Sequence, residues 1–212
     1  IPAFKADIQE LMNYLISQNN KLGVRIELNK EATPGLVNGS NVDDVVIATG
    51  SRSIIHKISG GKREQVVTAT DVLLGKSKAG HTVVVIGGSE IGCETALWLA
   101  QEGKKVTIAE TLDEVLVDTF RANRQQLLQM LAEAGVTIMT GVTIAEIADT
   151  GITVNDSTGG KTIEADTVVI VGRKSENGLI DQLDRARFSV HTVGDCVEPR
   201  SIKRAIWEAF RL

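Results

Sequence analysis

The sequence predicts an α/β fold, with a parallel sheet flanked by helices and joined to an antiparallel β-meander. Three observations predict it. Residues 82–140 alternate strand-length apolar runs with helix-period segments across short connections, a βαβαβ order that favours parallel strands. Residues 142–165 then hold three strand-like runs separated only by Gly- and Asp-rich turns, which reads as a meander. "DTVVIVG" (166–172) returns as a strand apolar enough to be buried on both faces.

The elements follow in order. Ile8, Leu11, Met12 and Leu15 share one helical face, predicting a helix over 5–20 that Gly23 ends. "VRIEL" (24–28) reads as a strand, and "DDVVIATG" (43–50) as a second strand running into a glycine turn. "ATDVLLG" (69–75) predicts a short helix, and "GKSKAG" (75–80) has linker composition. Strand 82–87 leads to helix 91–102, where Ala96, Leu97, Leu99 and Ala100 are apolar and Gly103 closes the end. Strand 105–110 follows, then a helix over 121–134 with Leu127, Met130, Leu131 and Ala134 on one face, then strand 136–140. The meander takes 142–147, 151–154 and 161–165. Beyond a polar stretch to Arg187, "VHTVGD" (190–195) makes a last strand and "SIKRAIWEAF" (201–210) a last helix.

At 212 residues the chain has room for one large or two small domains, and 42% hydrophobic with 24% charged residues is ordinary for a globular protein. A formal net charge of -4 without basic clusters speaks against a nucleic-acid surface. The apolar runs, such as Val83–Ile86 and Val168–Val171, are far too short to span a bilayer, so no membrane partner is expected. Cys93 and Cys196 lie far apart and form no C-x-x-C pair, which predicts no redox dithiol and no metal site. Two buried thiols in a reducing cytosol is the reading they favour, giving a cytoplasmic location. "IPAFKADIQE" carries no initiator Met and no signal peptide, and reads as the start of a piece cut from a longer protein.

The chemistry gathers at "VVVIGGSEIGCE" (83–94). A buried strand runs into Gly87-Gly88-Ser89-Glu90-Ile91-Gly92 and on into an apolar helix. In a G-x-G-x-x-G turn the first glycine permits the tight bend and the second the approach of a pyrophosphate. The third allows close helix–strand packing. Gly87 and Gly92 fill the first and third places, and Ser89 stands at the second. Its hydroxyl either crowds a phosphate or donates a hydrogen bond to one. Glu110 ends the next strand 23 residues past Gly87, close to the ~20 at which an acid holds the ribose hydroxyls of NAD and repels the 2′-phosphate of NADP. The alternative for Glu110 is a surface acid capping a strand. Glu94, in the first turn of the helix, is explained equally well by the helix dipole.

Taken together, "VVIATGSR" (45–52), residues 83–110 and "VHTVGDCVEPRSIKRAIWEAF" (190–210) resemble the two-dinucleotide-domain flavoproteins. The resemblance is to the C-terminal half of the NADH:flavin oxidoreductases grouped with 2,4-dienoyl-CoA reductase, 2-enoate reductase and trimethylamine dehydrogenase. It implies a Rossmann-like fold in which an NAD(P)-binding domain (80–179) interrupts a partial FAD-binding domain (1–79 and 180–212). It places Gly87, Gly88, Ser89, Glu90, Ile91, Gly92, Glu110, Gly172 and Arg173 at NAD. Ala48, Thr49, Gly50, Gly194 and Asp195 go to an incomplete FAD site, with Asp195 on the ribityl chain and Glu94 near the flavin–nicotinamide contact. The family's first FAD fingerprint, its FMN barrel, its [4Fe–4S] cysteines and its catalytic acid–base residues have no counterpart here. The resemblance thus implies the NADH-binding, electron-input module of a larger oxidoreductase, inactive alone and not retaining FAD. Its partner is the missing N-terminal domain, and homo-oligomers are compatible. A structural remnant of a nucleotide fold, or a piece of an NADH oxidase or disulfide reductase, are the alternatives.

Overall fold

The computed structural model describes residues 2–212. In chain order its elements begin with helices α1 (Ala6–Lys21) and α2 (Pro34–Asn38), then strands β1 (Asp44–Ile47), β2 (Ser51–Ser53) and β3 (Val66–Thr68). There follow α3 (Ala69–Leu73), β4 (Thr82–Ile86), α4 (Glu90–Gln101), β5 (Lys105–Ala109), α5 (Arg121–Glu133) and β6 (Thr137–Met139). The chain continues through β7 (Thr143–Ala148), β8 (Gly151–Asp156), β9 (Gly159–Glu164) and β10 (Thr167–Ile170). It ends with β11 (Arg173–Ser175), β12 (Ser189–Thr192) and α6 (Ile202–Phe210).

The chain divides into two compact units, crossing between them at Phe4/Lys5, at Arg52/Ser53 and at Gly172/Arg173. Ser53–Gly172, with residues up to Phe4, makes the first; Lys5–Arg52 and Arg173–Leu212 make the second. These crossings differ from the sequence-based boundaries at 79/80 and 179/180. Residues 53–79 supply β3, which pairs in parallel with β10. They also supply a loop tied to the meander by Ile147 N–H donating to the Ser59 carbonyl at 2.9 Å.

The first unit is built on a five-stranded parallel sheet in the order β3-β10-β4-β5-β6. Strand residues alternate faces, and that alternation sorts its core. Val83, Val85 and Val169 join a cluster with Cys93, Ala96, Leu97, Leu127 and Leu131 from α4 and α5. Val84, Val168 and Ile170 turn to the opposite face and pack with Ile147, Ile152 and Val154 of the antiparallel β7-β8-β9 meander. The sheet is therefore covered on both sides, which is why β4 and β10 are near-continuously apolar rather than alternating.

The second unit is thinner. β1 and β12 form a two-stranded parallel pair, with Val45 opposite Val190 and Ile47 opposite Thr192. Ile47, Leu183, Phe188 and Cys196 make its small core. α1 contains no buried residue. Two expectations change here. "VRIEL" (24–28) is not a strand; it pairs with no other strand among the described residues, and Leu28 is 80% exposed. β propensity alone gives no ladder without a neighbour. β2, β3 and β11, each three residues long, are additions to the expected elements, because they lack the length that makes alternation readable.

Candidate functional site

β4 delivers the chain into Gly87, whose φ of +111° is closed to most side chains. Its N–H donates to the Ala109 carbonyl at 3.0 Å, tying the turn to β5. A methyl group on Gly88 would overlap Val115 and come within 3.1 Å of the Glu110 carboxylate. A methyl group on Gly92 would land on the Gly87 carbonyl oxygen. Gly87 is thus required by its backbone angle and Gly88 and Gly92 by two close approaches, and the result is a bare backbone turn at the start of α4.

Ser89 is different. It caps α4 with φ -66° and ψ 174°, ordinary extended backbone that any residue adopts, and its hydroxyl makes no capping bond. It is exposed. Nothing in the chain itself demands glycine at position 89. Glu90, Ile91 and Glu94 follow in the first turns of α4, where Glu90 and Glu94 both make contacts within the molecule.

Glu110 faces the turn. One carboxylate oxygen accepts from the Gly88 N–H; the other accepts from the Leu112 N–H at 2.9 Å and the Thr111 hydroxyl at 3.0 Å. Burial on its own would raise the Glu110 pKa, but the Leu112 and Gly88 N–H groups and the Thr111 hydroxyl hold it below the usual glutamate value. The Leu112 N–H and the Thr111 hydroxyl share one oxygen, whereas the Gly88 N–H holds the other alone, so that oxygen can also accept from a ligand hydroxyl. The strand-end cap and the ribose acceptor are therefore two functions one carboxylate can serve together.

Two residues of this site escape a reading of the sequence. Val115 fills the space beneath Gly88, and Leu116 donates its N–H to the Gly88 carbonyl at 2.8 Å. Leu116 is 2% exposed and holds φ +60°, costly for a residue other than glycine. No sequence signal marks either, because both act through space on a turn far upstream.

The remaining expected residues separate. Gly172 belongs to the first unit, where a side chain would collide with the Ile54 carbonyl and His56. Arg173 belongs to the second, where its guanidinium pairs with Asp195 and donates to the Arg200 carbonyl at 3.1 Å. The Arg173 guanidinium is thus bonded to the residue expected at the flavin. Thr49 donates its hydroxyl to the Glu176 carbonyl, and Gly50, next to the exposed Ala48, takes φ +76° and accepts from the Glu176 N–H at 2.9 Å. Gly194, at φ +71°, donates its N–H to Glu208 at 2.8 Å.

Cofactor fit can be judged on these contacts. The glycine turn is a cradle that added methyl groups would fill, and the exposed Ser89 hydroxyl and the Glu110 carboxylate suit a dinucleotide. Asp195 also keeps one acceptor position, which suits a ribityl hydroxyl, while the ADP half of a flavin dinucleotide finds no second glycine turn among the described residues. Both cysteines are free and buried; burial, then Glu110 and Glu94, push the Cys93 thiol up to about 12. Cys196 Sγ lies 3.1 Å from the carbonyls of Ile47 and Val193. Among the described residues no cluster of His, Cys, Asp or Glu could hold a metal ion, and no helix is long and apolar enough to cross a membrane.

A parallel sheet with a glycine turn at its carboxyl edge and an acid one strand over defines a Rossmann-like dinucleotide-binding protein. A family model described as pyridine nucleotide-disulphide oxidoreductase matches residues 6–209, and the chain belongs to that family. It is 32% identical to cinnamate reductase of Clostridium sporogenes, over 100% of this chain and 32% of that protein. It is 31% identical to NADH oxidase of Thermoanaerobacter brockii, over 98% of this chain and 33% of that protein. A solved structure of 2-naphthoyl-CoA reductase with 2-naphthoyl-CoA superposes with a TM-score of 0.91 at 34% identity, covering 99% of this chain and 32% of that one. The chain spans about a third of the length of these relatives. It is an FAD/NAD(P)-binding α/β oxidoreductase domain related to these reductases and oxidases.

Proposed function

We propose that the chain is the NADH-binding, electron-input module of a flavin-dependent oxidoreductase of the enoate or dienoyl-CoA reductase type. The observation that carries this is Glu110: a carboxylate held ionised and bonded to the glycine turn through the Gly88 N–H. Nicotinamide bound there would supply a hydride, and a bound flavin would accept it. The chain's own residues bind and orient. Gly87, Gly88 and Gly92 hold backbone close to the pyrophosphate, α4 directs its N-terminus at it, and Ser89 donates its hydroxyl. Glu110 accepts from the adenine-ribose 2′-OH and repels a 2′-phosphate, which selects NAD over NADP.

FMN and an iron–sulfur cluster are assigned to the rest of a longer, cytoplasmic polypeptide, the two-thirds that the relatives have beyond the matched region. That portion is also the proposed cover for the exposed apolar faces of α1 and α6. This chain by itself is expected to turn over no substrate. The NADH oxidase relative favours a second reading, in which the same NADH site serves an oxidase; the two part only in the final electron acceptor.

Calorimetric titration tests the shared site. NADH should bind this chain and NADPH at least ~10-fold more weakly, with Glu110→Ala weakening NADH and narrowing that gap, since a charged hydrogen bond is worth about 1.5–3 kcal/mol. Binding of neither nucleotide sinks both readings and leaves the structural remnant.

A further inference from the structure

Within the second unit Asp195 closes a ring of polar contacts. One carboxylate oxygen accepts from the Ser51 hydroxyl at 3.0 Å and from the Arg173 guanidinium. The other accepts from the Arg200 N–H at 3.0 Å. Arg173 spans the gap, pairing with Asp195 while donating to the Arg200 carbonyl at 3.1 Å. The Arg200 guanidinium pairs with Glu208, whose second oxygen holds the Gly194 N–H at 2.8 Å. Ser51 and Arg173 open β2 and β11, which are hydrogen-bonded to each other, so one strand pairing fixes both donors to the same oxygen. Three donors on about four acceptor positions leave one, on the oxygen facing Arg200, and the Asp195 side chain is 24% exposed.

We propose that Arg173 is a positioning residue of the flavin side, holding Asp195 so that its remaining acceptor position stays available to a ribityl hydroxyl. This rests on the flavin reading of Gly194-Asp195. Arginine suits the task because its planar fork reaches the carboxylate and the Arg200 carbonyl at once; a lysine ammonium is a single point of charge. Removing the fork frees the carboxylate to rotate and to satisfy itself with water.

Fluorescence titration of the chain with riboflavin and with lumiflavin, which carries a methyl group in place of the ribityl chain, isolates that contact. Wild type should prefer riboflavin by about tenfold, the worth of one charge-assisted hydrogen bond. Arg173→Gln should cut the preference to about twofold, and Arg173→Lys, which keeps the charge without the fork, to about fourfold. A full preference surviving in Arg173→Gln overturns the positioning role. Should Arg173→Gln fail to fold by circular dichroism, Arg173→Lys decides, and an undiminished preference there overturns it equally. A wild type that binds neither flavin, or both alike, overturns the flavin reading itself and the proposal with it.

Discussion

The two units hold their shape by different means. In the first, Val84, Val85, Leu99, Ile108, Leu131, Ile147, Ile152 and Val169 are completely removed from water, and the sheet is sandwiched between helices and meander. In the second, α1 buries nothing, Tyr14 is 59% exposed and Phe210 80% exposed, and order at its functional end comes from the Asp195–Arg173–Arg200–Glu208 ring. Apolar burial is non-directional and insensitive to charge, whereas an ion-pair ring depends on geometry and on both partners staying ionised. The glycine turn is accordingly built on an apolar core, and Gly194-Asp195 on a polar clasp.

The largest expected contrast is between cores. Leu97→Ala, at a site 1% exposed, should destabilise the first unit by about 2–5 kcal/mol in urea unfolding. Met12→Ala on α1, 46% exposed, should cost no more than about 0.5 kcal/mol. Equal losses would erase the distinction. Next, Gly92→Ala drives a methyl group into the Gly87 carbonyl, so NADH affinity measured by calorimetry should fall by at least ~10-fold with partial loss of stability. Ser89→Gly, where no backbone strain exists, should change affinity by at most about 1–2 kcal/mol.

A smaller effect is electrostatic. The folded-state pKa of Glu110 lies below its ordinary value of 4.5, so its ionised form contributes stability that is complete above that value. The contribution is lost as pH falls through the lowered folded pKa, and Glu110→Gln should flatten that acid limb in pH-dependent melting curves. An unaltered limb in the variant would show that the bonds to Gly88 and Leu112 do not stabilise the turn. The smallest change is expected at Arg52, whose pair with Glu176 is about half exposed on both sides. Arg52→Ala should shift stability by no more than about 0.5 kcal/mol, and less in high salt.

Much of the first unit is legible in the sequence. Val83 to Ile86, the glycines after them and Glu110 state their roles in local spacing, and the meander states its own in closely set strands. The second unit is legible as isolated pieces only. α1 and α6 show their periodicity, but "VRIEL" shows a propensity that no neighbouring strand completes. Arg173, grouped with the NAD residues by its place after Gly172, pairs its side chain with Asp195.

By itself, then, the sequence determined everything whose cause lies within a few residues: the continuous apolar run that buries β4, the periodicity of α4, the turn that only glycine can make at 87. Tertiary structure alone decided that Gly88 must be glycine because Val115 lies beneath it. It also decided that Ser89 keeps ordinary extended backbone and that Arg173 pairs with Asp195. The physical reason is common to all three: contacts between segments far apart in the chain depend on how strands register and pack, and no local pattern encodes which distant side chain arrives to fill a given space.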